Sequence, residues 1–78
     1  MRVLDEQQHP HVKITYYHWN NKFIVKFERG MLEQTFKVSE FDVTDEKELK
    51  SLITEEFIQK VVKRFEDMSD DLSSIITY

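Results

Sequence analysis

Three histidines are the residues in this chain best suited to metal or proton chemistry. His9 and His11 flank Pro10, a spacing that turns both rings to one side of an extended segment. A structural zinc site takes four protein ligands and a catalytic one usually three, so Asp5 or His18 would have to be recruited by folding. A solvated His-Pro-His segment needs no metal to explain it, so no metal and no cofactor is expected, and only weak binding by His9 and His11 stays open. His18 has the residue type for acid-base work, but a catalytic imidazole needs an orienting partner, and none stands near it in sequence. Asp45, Glu46, Glu48, Glu55 and Glu56 read as charges at helix starts, and Gly30, the chain's one glycine, cannot build a phosphate-cradling loop. With no nucleophile and base, carboxylate pair or nucleotide loop in the sequence, the expectation is a protein that is not an enzyme.

The remaining chemistry is that of recognition. Tyr17, Trp19 and Ile24, with Lys13, Lys22, Lys26, Met31 and Lys37, combine flat apolar side chains with ammonium groups. Such a set buries well against a protein partner, or stacks on bases while its lysines meet phosphates. Which reading applies depends on whether these side chains share a surface, and that is decided by the elements that carry them.

Residues 12–38 read VKITYYHW-NN-KFIVKFE-RG-MLEQTFKV, three β-branched and aromatic runs separated by two turn signals. Asn20-Asn21 suits a type I′ turn, because both residues tolerate positive φ. That turn places Trp19 opposite Lys22 and Tyr17 opposite Ile24, and so on down to Lys13 opposite Glu28, with an expected Lys13–Glu28 ion pair and a Trp19–Lys22 cation–π contact. Val12, Ile14, Tyr16, Phe23, Val25 and Phe27 then share one face, and the recognition residues share the other. A turn centred on Arg29-Gly30 predicts Glu28 opposite Met31 and Phe27 opposite Leu32, which adds Leu32, Phe36 and Val38 to the apolar face. Gln34 is the polar exception on that face and reads as a satisfied edge residue, its amide reaching solvent or a helix terminus, with a partner contact as the lesser alternative.

After Val38 the apolar period lengthens to that of a helix. Thr44 is the expected N-cap of a short helix over about 45–53, with Leu49, Leu52 and Ile53 as its stripe. Thr54 starts a long helix over about 55–68, whose stripe of Phe57, Ile58, Val61, Val62, Phe65 and Met68 points elsewhere. Ser69-Asp70-Asp71 predicts a break, since carboxylates oppose a helix C-terminus, and leaves 69–78 as helix, strand or a partner-ordered tail. Residues 1–11 show no period and are expected to form an extended or mobile arm, with the option of joining the sheet edge. The fold class expected is α+β: a three-stranded antiparallel β-meander (about 12–18, 22–28 and 31–38) with both helices packed on one face, two layers in one domain of residues 1–78.

At 78 residues the core is small, because a chain of this length buries only about 60% of its unfolded surface. The absence of cysteine removes disulfides and points to a cytoplasmic setting. No segment has the apolar run of a signal peptide or a membrane span, so no membrane partner is expected. Residues 11–38 carry a net charge of +3 and residues 39–78 a net charge of −6, so a basic sheet accompanies acidic helices. The function expected is a small non-catalytic interaction domain that self-associates, as a homodimer or higher oligomer, through the exposed sheet face or an edge strand, with another protein partner also open. The alternative is single-stranded nucleic-acid binding on the basic aromatic face, which the acidic total disfavours.

Overall fold

The computed structural model describes residues 1–76. It contains β1 (Arg2–Gln8), β2 (Lys13–Trp19), β3 (Lys22–Arg29), β4 (Leu32–Ser39), α1 (Glu46–Leu52) and α2 (Glu55–Ile75) in chain order. The strands form one antiparallel sheet in the order β1-β2-β3-β4. The class is α+β, as the patterning indicates, but the sheet has four strands rather than three.

The added strand is the N-terminal arm. Its chain reversal is closed by the His9 amide, which donates to the Val12 carbonyl at 3.0 Å. β1 pairs with β2 from Gln8↔Lys13 to Val3↔Tyr17 and Arg2↔His18, with a bulge between Val3 and Asp5. The extra residue there lets Leu4 pack against the core while Asp5 reaches Lys50 of α1. An edge strand needs little apolar alternation to be held by its ladder, so Arg2–Gln8 gives no period-two signal.

The first hairpin has the register that its turn demands, with Lys13↔Glu28 through Trp19↔Lys22. Asn20 and Asn21 have φ of 52° and 60°, the left-handed pair of a type I′ turn. The second hairpin differs from expectation by two residues: Arg29 pairs with Leu32, Phe27 with Gln34 and Glu28 with Glu33. Its turn is centred on Gly30-Met31, with Gly30 at φ +60° and Met31 outside the left-handed region, the pattern of a type II′ turn that matches the strand twist. Because the shift is even, every β4 side chain keeps its face. Met31 leaves the strand for the turn tip, where it is 93% exposed.

The helix-facing side of the sheet carries Val12, Ile14 and Tyr16, then Phe23, Val25 and Phe27, with Leu32, Phe36 and Val38 at its margin. Leu49 of α1 and Ile58, Val61, Val62 and Phe65 of α2 close the core, and Val43 seals the connection between the layers. Phe27, Phe36 and Phe57 meet with ring centroids 5.3 to 5.9 Å apart, which ties β3, β4 and α2 at one point. Gln34 is satisfied inside this chain: its amide donates to the Val61 carbonyl at 2.9 Å, joining β4 to α2.

Asp45, not Thr44, caps α1, accepting from the Glu48 amide at 2.8 Å, while the Thr44 amide donates to the Glu48 carboxylate at 3.0 Å. Thr54 caps α2 by accepting from the Phe57 amide, as its position suggests. α2 does not break at Ser69 but continues to Ile75. Met68 and Leu72, both half-buried, stay in phase with Phe65 and carry the helix past Ser69, while Asp70 and Asp71 are exposed at a cost of a few tenths of a kcal/mol. The part of the 69–78 tail at 77–78 lies outside the described residues. No described helix is long and apolar enough to cross a membrane.

The Lys50–Asp5 ion pair and the His9–Glu55 hydrogen bond clamp the helices to the β1 end of the sheet. Lys50 lies 2.6 Å from Asp5 and 2.8 Å from Glu46, and His9 Nε2 lies 3.0 Å from Glu55. Hydrogen bonds from Lys50 hold the Asp5 carboxyl below its ordinary pKa, Thr44 does the same for Glu48, and His9 for Glu55. The unfolded chain therefore binds more protons than the folded one in acid. The stability these groups contribute is present at neutral pH and is lost as pH falls below about 5 and through their lowered folded values. Thermal melts between pH 7 and pH 3 are expected to show a falling midpoint, with a shallower fall in Asp5→Asn; an identical slope in that variant would remove Asp5 from the explanation.

Candidate interaction surface

Strand register sorts the other face of the sheet into four rows. Trp19 and Lys22 stand in the first, and Val3, Tyr17, Ile24 and Lys37 in the second. Glu6, Thr15, Lys26 and Thr35 form the third, and Gln8, Lys13, Glu28 and Glu33 the fourth. The first two rows are apolar with uncompensated cations, and the last two are mixed in charge.

The aromatic cluster is real but unevenly covered. Ile24 is 5% exposed, Tyr17 is half-buried, and Trp19 is 51% exposed. Met1 joins Tyr17, Trp19, Ile24, Lys26, Thr35 and Lys37 around a shallow depression of about 220 Å³. β1 thus widens the patch through Val3 instead of folding over it, and Val3 is itself 55% exposed. Thr15 lies deeper in the same face, and its buried hydroxyl has no hydrogen-bond partner among the described residues.

The lysines divide into two groups. Lys26 sits over the Tyr17 ring, 5.3 Å from its centroid, and lies 3.8 Å from Glu28 and 4.0 Å from Glu33. Tyr17 first, then Glu28 and Glu33, hold its ammonium above the ordinary lysine pKa. Lys13 turns to Glu6 of β1 at 3.6 Å instead of the Glu28 opposite it, because the added strand supplies a nearer carboxylate. Lys22 and Lys37 are exposed and form no ion pair among the described residues, and the cation–π contact expected of Lys22 on Trp19 is made instead by Lys26 on Tyr17. Met31, at the far turn, stands apart from this cluster.

The histidines act as connectors. The His11 amide donates to His9 Nδ1 at 3.1 Å, so His9 carries its proton on Nε2 and donates it to Glu55. His18 has the orienting carboxylate that sequence proximity did not reveal: Glu40 lies 2.5 Å from its Nε2, while Phe23 packs against its ring at 5.2 Å. The pairing of Lys22 with Ser39 brings these two together, and only the β4 register could have announced it. Among the described residues no three His, Cys, Asp or Glu side chains are arranged to hold a metal ion.

A second concavity, of about 480 Å³, opens at the other end of the molecule between the β3–β4 turn and the last turns of α2. Met31, Leu32, Phe65 and Leu72 give it apolar walls, and Arg29, Glu66 and Asp70 stand around them. It escaped the sequence reading because it depends on α2 continuing through Asp70-Asp71. No protein-family model, curated protein or solved structure matches this chain.

Proposed function

We propose that this chain is a small non-catalytic interaction domain that binds further copies of itself through the outer sheet face around Trp19. The observation that carries this reading is an indole 51% exposed beside Tyr17 and Ile24, with Met1 and Val3 extending the apolar area at 71% and 55% exposure. Side chains of this kind supply most of the binding energy at protein interfaces, and a core this small gains from added burial. Nucleic-acid binding is the weaker reading. Lys13 and Lys26 are already engaged by Glu6, Glu28 and Glu33, which leaves few cations on this face for phosphates.

Light scattering coupled to size exclusion tests the reading across micromolar concentrations. Wild type is expected to run above monomer mass, and Trp19→Ala to weaken association about 30-fold or more, the effect of losing a hot-spot aromatic. A wild-type monomer throughout would end the proposal. Trp19 is the chain's one tryptophan, so its emission also reports directly on an added mixed-sequence oligonucleotide at low salt. A salt-sensitive titration there would replace self-association with the nucleic-acid reading.

A further inference from the structure

We infer that the surface covering Trp19 is the α2 groove of the next copy, so that the chain associates head to tail. This rests on the self-association proposed above and adds its geometry. Two unsatisfied patches lie at opposite ends of the sheet. Trp19, Lys22 and Lys37 occupy the end made by the β2–β3 turn, whereas the groove lies beside the β3–β4 turn.

Charge decides between this pairing and a symmetric face-to-face one. Lys22 and Lys37 need carboxylates, but the acids on the outer face are engaged within the chain, Glu6 by Lys13 and Glu28 and Glu33 by Lys26. A second copy of the same face therefore offers these two lysines only carboxylates already in contact with Lys13 or Lys26. Uncommitted acids are found on α2: Glu66 and Asp70 line the groove, and neither forms an ion pair among the described residues. Arg29 on the same rim offsets one of them and leaves the groove acidic.

The apolar parts correspond as well. The groove's walls include Leu72, half-buried on the helix, and Met31, 93% exposed at the turn. An indole set among these walls would bury apolar surface on both copies, with its cationic neighbours meeting the acidic rim. Such a contact is heterologous, because it joins two different surfaces, and its repetition builds a ring or an open chain instead of stopping at a dimer.

Two charge-reversal variants test this. Lys22→Glu/Lys37→Glu disables the face and keeps the groove, and Glu66→Lys/Asp70→Lys disables the groove and keeps the face. All four positions are exposed, so both variants are expected to fold, with circular dichroism and melting curves as the check. Each alone is expected to be monomeric by light scattering, and their equimolar mixture is expected to form a complex of twice the monomer mass, because one intact face then meets one intact groove. If the groove variant assembles like wild type while the face variant does not, the head-to-tail geometry is wrong and association through the Trp19 face stands. Two monomeric variants that give no complex on mixing also overturn the geometry. A wild-type chain that is itself monomeric removes both the geometry and the association on which it rests.

Discussion

Replacing Phe27 with alanine is expected to lower stability by about 3–5 kcal/mol, the cost of deleting a fully buried aromatic side chain. Phe27 has no exposed surface and sits where the sheet meets α2, its ring centroid 5.9 Å from Phe36 and 5.8 Å from Phe57. The side chains around the vacated space belong to three elements, and one cannot close in without disturbing the others. A domain of this length is commonly stable by about 4–12 kcal/mol, so the loss takes a large share of the total and unfolds the protein outright if it lies at the low end. Phe36→Ala is the internal comparison: Phe36 is half-buried at the open side of β4, so its removal should cost visibly less. Urea titrations of the two variants, followed by circular dichroism, decide the matter. A loss below about 1 kcal/mol for Phe27→Ala would mean that the ring is not the junction of the two layers.

Much of this architecture was legible because two rules act locally. The Asn20-Asn21 turn dictates the register of β2 against β3, and strand alternation dictates the faces, so Tyr17, Trp19 and Ile24 could be grouped before any fold was known. The same alternation protected the apolar face from the error at the second turn. Moving the turn centre from Arg29-Gly30 to Gly30-Met31 changed every partner by two residues and reversed no side chain. What the slip did change was the role of Met31, which belongs to a turn and to the α2 groove instead of the aromatic cluster.

The misses share a different cause. The break expected at Ser69 weighed a helix-end charge effect, worth only tenths of a kcal/mol, above a continuing apolar stripe. In the structure the stripe continues through the half-buried Met68 and Leu72, and the helix runs on to Ile75. His18 with Glu40, Gln34 with Val61 and Asp5 with Lys50 are all contacts between residues far apart in sequence. Composition reveals that each needs a partner, and topology alone names it. The candidate surface was therefore legible as a cluster on one face, while the groove beside the β3–β4 turn was not.

The strongest test of the unforeseen topology is to remove β1. A chain lacking residues 1–8 is expected to lose about 3 kcal/mol or more, because Ile14 and Tyr16, each 1% exposed in the whole chain, would face water along an open β2 edge. The polar losses add to this. Gln7 no longer accepts from the Tyr16 hydroxyl at 3.0 Å, and Lys50 loses the Asp5 carboxylate that fastens α1 to the sheet. Burial currently raises the Tyr16 pKa above the usual tyrosine value, so an ultraviolet titration of the shortened chain should show that shift relieved. The uncovered edge is also a template for unwanted strand pairing, so aggregation should accompany the loss. Truncation after Met68 is the matched control, since the helix turns it removes carry the exposed Ile75 and the half-buried Leu72 and leave Phe65 in place. That chain should keep most of its stability and, without the groove, lose its self-association. If the chain without residues 1–8 melted like the whole protein, β1 would be an appendage and the meander of β2, β3 and β4 would suffice for the fold.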